Sequence, residues 1–434
     1  MQLQLTDSET LYQSLIDIPL VKRLFDYCQQ DGLKLYLCGG AVRDFIMIGK
    51  PTKDLDFFVE TPSRVLFDNL KDKLLKDIQL ETIPIPFHLA GIDLIYSENV
   101  MINILQFDLT LNSILYDFQT KQFLDPTGGL VDLKNRVARI NSMGFFISSP
   151  MCFVRIFKQA AKLNLTIEAE TLEKLRQLTG TINITDHYRF SRCMFDMFDF
   201  FALAEIEVYF RQMIDTTILE HYLAELIPSK YVPFNKDYPF SLFDYNVQSV
   251  NNLEMIMRSL NDVTRESLMA VEPYKFEFQK FKTNNQHLKP AYNTLSTARM
   301  VTLMTNSGQA FLKLDTHIPE IFLSPSYLAD CNQQLMTSLA NRASHFNEVH
   351  TLLVQCGFLG NTISSFYQHI VNETRDDITL YWEKMLQDMT IAKYQKIILL
   401  STLGYLYTHQ QYQLNPNISE NTFTQLQFLL ESII

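Results

Sequence analysis

The chain has 434 residues and a mass of 50.5 kDa, which is too long for one compact core and suits two or three domains. Its composition, with 47% hydrophobic and 20% charged residues, is that of a globular protein and excludes wholesale disorder. The 37 Lys and Arg residues against 48 Asp and Glu give a net charge of −11, so the sequence does not predict the broad basic surface typical of nucleic-acid-binding proteins.

Neither a membrane span nor a secretory signal is expected. No stretch reaches the roughly 18 uninterrupted apolar residues that a membrane helix needs, and Met1–Asp7 carries no basic residue. The six cysteines are scattered without a Cys-x-x-Cys pair, which favours reduced thiols over disulfides or a zinc site. The sequence therefore predicts a cytoplasmic protein.

The first 140 residues alternate between helical and strand-like patterns. A helix is predicted over 8–30, and a buried strand over 34–38 leads into a Gly-Gly turn. The remaining predicted elements are a helix at 41–49, a strand at 54–59, a helix at 63–76, short strands at 82–85, 91–96 and 101–106, and a hairpin at 116–125. This pattern is typical of a small mixed α/β unit.

From Pro150 onward the apolar residues recur with the helical period of 3.6. The sequence therefore predicts an α+β fold with three parts. A mixed α/β head occupies residues 1–145, a helical neck 146–203, and a helical body and tail 204–434.

The pattern that points to chemistry begins at the Gly-Gly turn. Paired glycines between a strand and a helix let the backbone approach a triphosphate, whose charge is favoured at a helix N-terminus. Asp54 and Asp56 follow on the next strand, and residues two apart on a strand face the same side. Two such carboxylates can hold the pair of divalent cations used in nucleotidyl transfer. The complete pattern is Gly39-Gly40-Ala41-Val42-Arg43-Asp44 followed by Asp54-Leu55-Asp56.

This pattern resembles the class II tRNA nucleotidyltransferases (CCA-adding enzymes) and the bacterial poly(A) polymerases of the polymerase β superfamily. Their head motif, Gly-Gly-x-Val-Arg-Asp and then Asp-x-Asp, is intact here. The resemblance covers about residues 33–200 and continues in the segments Asp108–Ser113, Leu124–Leu133 and Arg155–Leu163. It implies a polymerase β-like head followed by helices.

The chain departs from the family pattern in two places. The two arginines that precede the motif aspartate in the family are Gln106 and Phe107 here. The family's base-reading motif Glu-Asp-x-x-Arg falls on 148–152, where Ser149 and Cys152 replace its aspartate and arginine. A hydroxyl and a thiol cannot reproduce a carboxylate beside a guanidinium, so we expect the amino-acid template for CCA addition to be lost.

The resemblance implies roles for the surviving residues near the Gly-Gly turn. Asp54 and Asp56 are expected to bind two Mg²⁺ ions. Asp93, on the neighbouring strand, is the best candidate for a third catalytic carboxylate, and an ordinary exposed strand residue is the alternative. Nucleotide binding is expected from Gly39, Gly40 and Arg43 at the triphosphate and from Asp108 and Asn112 around the ribose.

Two further cations are candidates for phosphate binding. Arg155 and Lys158 lie three residues apart on one helix and can replace the charge lost at 106 and 107. The alternative is that they belong to a solvated helix face. Asp44 is expected to pair with a nearby arginine.

The reaction implied is transfer of a nucleoside monophosphate, expected to be AMP from ATP, to an acceptor hydroxyl. By resemblance the acceptor is an RNA 3′ end, most often that of tRNA. A protein or small-molecule acceptor is one alternative, and a catalytically dead nucleotide-binding module is another. No membrane partner is expected.

Overall fold

The computed structural model describes residues 8–51, 54–80, 91–182, 186–234, 240–269, 293–305, 307, 310, 325–343, 347–372, 392–412 and 420–432. Tertiary contacts divide the described residues into two compact units. The first contains residues up to Cys152 together with Leu163–Thr181, and the second contains the rest. The expected head, neck and body boundaries stay a prediction.

The helices in chain order are α1 (Ser8–Ile16), α2 (Pro19–Gln30), α3 (Gly40–Ile48), α4 (Arg64–Leu80), α5 (Val100–Ile104), α6 (Gly129–Asn135), α7 (Met143–Ser148), α8 (Cys152–Leu163), α9 (Ala169–Leu178), α10 (His187–Phe201), α11 (Glu207–Asp215), α12 (Ile218–Tyr222), α13 (Leu242–Ser259), α14 (Asp262–Met269), α15 (Thr294–Met304), α16 (Pro325–Arg342), α17 (Asn347–Asn372), α18 (Ala392–Gln411) and α19 (Glu420–Ser432). Shorter 3₁₀ turns lie at Thr110–Asn112, Thr179–Thr181 and Ala224–Lys230.

A five-stranded mixed sheet forms the centre of the first unit. Its strands are β1 (Lys34–Cys38), β2 (Leu55–Glu60), β3 (Ile92–Ser97), β4 (Leu115–Asp117) and β5 (Gln122–Leu124), and the spatial order is β3-β2-β1-β4-β5. Only β2 and β3 run parallel, whereas the other neighbours are antiparallel. A separate parallel pair joins β6 (Val137–Ala138) to β7 (Thr166–Ile167). The expected α+β class is confirmed.

In the first unit, the structure differs from two predictions made from the sequence. The helix predicted over 8–30 is two helices, because Pro19 has no N–H to continue α1 and begins α2 instead. The strand predicted at 101–106 is wrong, because this segment contains helix α5, which Asn99 caps by accepting hydrogen bonds from the backbone N–H groups of Met101 and Ile102. The strand predicted at 82–85 lies outside the described residues.

The described residues of the second unit are mostly helical, with one isolated β-bridge between Pro233 and Ser241. Helices α13, α15, α17 and α18 pack closely together. A Cβ atom at Gly404 would come within 2.8 Å of the Ser249 carbonyl oxygen, so the glycine allows α13 and α18 to approach each other. Across the described ranges, no helix has both the length and the apolar character needed to cross a membrane.

Candidate active site

The Gly-Gly turn lies between β1 and α3. Gly39 has φ of 72° and ψ of −145°, a backbone conformation that favours glycine. A Cβ atom at Gly39 would lie 3.0 Å from the Asp56 Oδ2 atom, and a Cβ atom at Gly40 would lie 3.3 Å from the Arg43 Nη2 atom. The two glycines therefore leave room at one turn for a carboxylate and for a guanidinium.

The predicted carboxylates come together beside this turn. Asp56 on β2 is the register partner of Asp93 on the parallel strand β3. Residues in register on adjacent strands point to the same face, about 4.8 Å apart. Asp54 lies two residues before Asp56, immediately before β2 begins, and is exposed to solvent. The structure thus places Asp93 next to Asp56 in the sheet.

Cys38 contributes to the position of the Asp56 backbone. Its fully buried thiol donates a hydrogen bond to the Asp56 carbonyl oxygen at 3.3 Å. Burial, with the nearby Asp56 charge, raises the pKa of the Cys38 thiol well above its ordinary value. The residue therefore stays a neutral thiol beside the carboxylates.

The donor set suits a hard cation, because carboxylate oxygens are the ligands that Mg²⁺ prefers. Among the residues that the structure describes, however, no group of three or more His, Cys, Asp or Glu residues is arranged to hold a metal ion. Asp54 and Asp56 remain the candidate metal ligands, and the role of Asp93 as a third carboxylate remains a prediction.

A buried hydrogen-bond network extends from the turn. The Arg43 side chain donates from Nε to Asp44 Oδ1 at 2.7 Å and from Nη1 to Asn112 Oδ1 at 2.8 Å. Asn112 in turn donates from Nδ2 to Asp108 Oδ1 at 2.9 Å. All four side chains are less than 10% exposed. The expected pairing of Asp44 with an arginine is confirmed, and the structure brings together Arg43, Asp108 and Asn112.

The segment Asp125–Asp132 braces the 3₁₀ turn that carries Asn112. Asp132 Oδ2 accepts a hydrogen bond from the Thr110 hydroxyl at 2.6 Å, and a Cβ atom at Gly129 would lie only 2.2 Å from the Thr110 carbonyl oxygen. The sequence pattern did not assign these residues a role. The glycine pair within the segment is a signal of close backbone approach that could have indicated one.

The position of the second missing arginine is occupied by Phe107, a partly buried residue that packs against the core. The Phe107 ring packs against Phe58, with ring centroids 5.7 Å apart, in a cluster that includes buried residues of β1 and β2. Gln106 is exposed beside it. The change at Phe107 thus exchanges a cation for apolar packing.

Arg155 and Lys158, in the second unit, are engaged in ion pairs. The Lys158 ammonium contacts Asp196 and lies 3.1 Å from Asp199 Oδ2, while Arg155 Nη2 lies 3.8 Å from Asp196 Oδ2. Burial opposes charge on both partners, but the Lys158 and Arg155 cations outweigh it and lower the pKa of Asp196. In the same way, Asp196 and Asp199 outweigh burial and raise the pKa of Lys158. The predicted contact of Arg155 and Lys158 with nucleotide phosphates stays a prediction.

The two residues at the family's template positions have different surroundings. Ser149 follows the last residue of α7 and accepts, through its carbonyl oxygen, a 3.0 Å hydrogen bond from the Cys152 backbone N–H. Cys152 begins α8 and is 1% exposed.

Comparison with known proteins finds relatives that are named for CCA addition, although no family model matches the chain. The chain is 25% identical over 383 residues to a CCA-adding enzyme of Francisella tularensis subsp. novicida, which covers 79% of this chain and 99% of the relative. A multifunctional CCA protein of Haemophilus ducreyi is 30% identical over 168 residues, which cover 34% of this chain and 40% of that protein.

Solved structures with the same fold include a CCA-adding enzyme in complex with ATP, which is 14% identical with a TM-score of 0.55 over 100% of this chain and 93% of that one. A tRNA-processing enzyme in an apo form is 14% identical with a TM-score of 0.54, over 96% of this chain and 97% of that one. At such low identity these structures show the fold alone.

The curated relatives support the expected class of protein, a nucleotidyltransferase enzyme, and the shared fold agrees with it. Within that class the chain resembles, in sequence and in fold, the class II tRNA nucleotidyltransferases of the polymerase β superfamily, and this expectation is confirmed.

Proposed function

We propose that the protein transfers a nucleoside monophosphate, AMP in the first instance, from an NTP to the 3′ hydroxyl of an RNA, with a tRNA as the preferred acceptor. The observation that carries the proposal is the register of Asp56 with Asp93 beside the Gly39–Gly40 turn. The Francisella relative, named a CCA-adding enzyme and matched over 99% of its length, supports the same chemistry and acceptor.

In this proposal, Asp54 and Asp56 hold two Mg²⁺ ions and Asp93 is the third catalytic carboxylate. When bound, such ions activate an attacking oxygen and stabilise the leaving oxygen. The Gly39–Gly40 turn at the N-terminus of α3 is proposed to meet the triphosphate, with the Arg43 guanidinium beside Gly40 as the nearby positive charge.

The transfer forms a bond between the acceptor oxygen and the α-phosphorus and breaks the bond from that phosphorus to the bridging oxygen of pyrophosphate. The hydroxyl proton passes to solvent. Asp108 and Asn112 are proposed to contact the ribose of the nucleotide. This proposal is supported by the hydrogen bonds that connect them to Arg43 beside the turn. Arg155 and Lys158 are proposed to add phosphate-binding charge, although Asp196 and Asp199 compete for it.

We further propose that the protein does not read C against A with protein side chains. Cys152 is buried at the start of α8 and Ser149 has no charge, so neither residue can provide the paired carboxylate and guanidinium. The product is then a tail of one preferred nucleotide rather than the ordered triplet.

The test is to incubate the protein and Mg²⁺ with each α-labelled NTP in turn, in parallel with a tRNA lacking its 3′ end, total RNA and total protein. We expect the label from ATP in the RNA fractions. Label in the protein fraction alone would replace the RNA acceptor with a protein side chain. Absence of label from every fraction would favour a module that only binds nucleotide. A cytoplasmic location is part of the proposal and is checked by fractionation.

A further inference from the structure

We infer that Thr110 and the segment Asp125–Asp132 are positioning elements for the Arg43 guanidinium, and that they set the affinity for the NTP without touching it. The inference rests on the proposed function, because it takes Arg43 as the cation that meets the triphosphate. It is carried by contacts within the first unit.

Thr110 is held at each of its polar groups. Its backbone N–H donates to the Arg139 carbonyl oxygen at 3.1 Å, and its own carbonyl oxygen accepts from the Thr127 hydroxyl at 3.3 Å. Its hydroxyl donates to Asp132 Oδ2 at 2.6 Å, and Arg139 Nη2 lies 3.3 Å from the other oxygen of Asp132. Thr110 and Asp132 are each 4% exposed, so the hydrogen bond between them forms away from water. Such a fully satisfied site fixes the backbone at this residue.

The first turn of α6 packs closely against Thr110. Asp125 accepts hydrogen bonds from the backbone N–H groups of Gly129 at 2.8 Å and Leu130 at 2.9 Å, which anchors the first turn of α6. Gly129 then approaches Thr110 so closely that a Cβ atom would lie 2.2 Å from its carbonyl oxygen and 3.0 Å from Ile114 Cγ1. Only glycine fits, and any larger residue must displace the 3₁₀ turn or the helix.

The 3₁₀ turn connects Thr110 to the Arg43 guanidinium through Asn112. Asn112 lies two residues after Thr110 in the same turn, and its Nδ2 group is bonded to Asp108. Because Nδ2 faces Asp108, the Oδ1 atom faces Arg43 and accepts its Nη1–H at 2.8 Å. A shift of the turn moves this acceptor away from the guanidinium. Arg43 then loses one of the hydrogen bonds that hold it beside Gly40.

The experiment uses the full-length protein with the variants Thr110→Val and Gly129→Ala. Thr110→Val keeps the size and branching of the side chain and removes only the hydroxyl, while Thr110→Ser restores the hydroxyl. The matched controls are Thr181→Val, whose hydroxyl bonds the Leu178 carbonyl oxygen in the same unit, and Gly180→Ala, where a Cβ atom meets nothing within 4 Å.

Two quantities are measured: the affinity for a fluorescent ATP analogue without acceptor, and the KM and kcat for AMP transfer. We expect Thr110→Val to weaken nucleotide affinity and raise the KM for ATP about tenfold, the size of one charge-assisted hydrogen bond, with a smaller change in kcat. Thr110→Ser and both controls are expected to behave like the unmodified protein. Gly129→Ala is expected to show the same effect or a larger one.

The outcomes separate this inference from the proposed function. Unchanged affinity and KM in Thr110→Val, with an active unmodified protein, contradict the inference alone. An equal fall in kcat and affinity that Thr110→Ser does not rescue also contradicts it, because that result indicates general structural damage. An unmodified protein that neither binds the analogue nor transfers AMP contradicts the proposed function and the inference together.

Discussion

The Asp56 carboxylate lies over Gly39, which leaves room for it, and its register partner on the next strand is Asp93. Removal of one carboxylate from a group of like charges relieves repulsion, so we expect the fold to tolerate the loss of one aspartate and the proposed metal binding to be lost. We therefore expect the chemistry of the site to depend on individual oxygen atoms rather than on packing.

We predict that Asp54→Ala and Asp56→Ala each reduce AMP transfer at least about a thousandfold, because each removes a metal-binding carboxylate. The free energy of unfolding in urea is expected to change by less than about 1 kcal/mol. The measurements are labelled-AMP transfer and Mn²⁺ binding, with Asp72→Ala on the exposed face of α4 as the matched control. Strong residual transfer and unchanged Mn²⁺ binding in both variants would show that the metal ligands lie elsewhere.

The buried His409 in the second unit is expected to make the stability of the protein depend on pH. Burial lowers its pKa from 6.5 to about 4, and the side chain is 5% exposed. Between these two pKa values the unfolded chain binds a proton that the folded chain does not. The contribution of the neutral His409 to the free energy of unfolding is therefore fully present above the unfolded pKa of 6.5, and it is lost as the pH falls towards about 4.

The expected loss is about 2–3 kcal/mol between pH 7 and pH 4 for this residue. It is measured as the difference in urea unfolding between the unmodified protein and His409→Gln, since the carboxylates titrate equally in both. We expect the difference to shift in favour of His409→Gln as the pH falls. A constant difference across this pH range would exclude His409 as the titrating group.

At the scale of elements, helices α8 and α10 are joined by a cluster of charges. Lys158 bonds to both Asp196 and Asp199, and Asp196 is largely buried. Removing one member of a buried pair leaves the other charge uncompensated. The cluster therefore makes Lys158 a structural residue whatever its part in phosphate binding.

We predict that Lys158→Met lowers the free energy of unfolding by about 2–4 kcal/mol, and that Lys158→Met combined with Asp196→Leu recovers most of this loss. Urea unfolding of the two single variants and the double variant gives the coupling energy. Unchanged stability in Lys158→Met, together with a higher KM for ATP, would assign the ammonium to the nucleotide instead of to the cluster.

Local spacing in the sequence predicted the elements that carry the site, because β1, the Gly-Gly turn, α3 and β2 follow one another directly. The strand that carries Asp93 and the hairpin of β4 and β5 were also predicted from local patterns. The register of Asp56 with Asp93 joins segments that are distant in the chain, and the sequence did not predict it. Short segments were harder: Asn99 caps a helix in a stretch whose apolar residues suit a strand equally well.

Contacts between distant segments could not be predicted from spacing. The brace between Thr110 and Asp132 joins residues 22 apart, and its close approach at Gly129 is set by packing. Likewise, the sequence showed that Phe107 replaces an arginine but not that its ring packs on Phe58. Such contacts depend on the three-dimensional arrangement of the sheet and the turn.

At the scale of the whole chain, the retained catalytic pattern contrasts with the changed template positions. We predict that the protein does not add an ordered C-C-A triplet, because Ser149 and Cys152 cannot switch preference between two bases. The check is to supply a 3′-truncated tRNA with ATP and CTP together and to sequence the products. Accurate CCA ends would require template residues at other positions of the chain.

Nucleotidyl transfer to RNA is tested by extension of a 3′-truncated tRNA transcript with labelled ATP and Mg²⁺, compared between the unmodified protein and the Asp54→Ala/Asp56→Ala double variant. We predict labelled AMP at the 3′ end with release of pyrophosphate for the unmodified protein, and no label for the double variant. Absence of extension with every NTP, or equal extension by the two proteins, would contradict it.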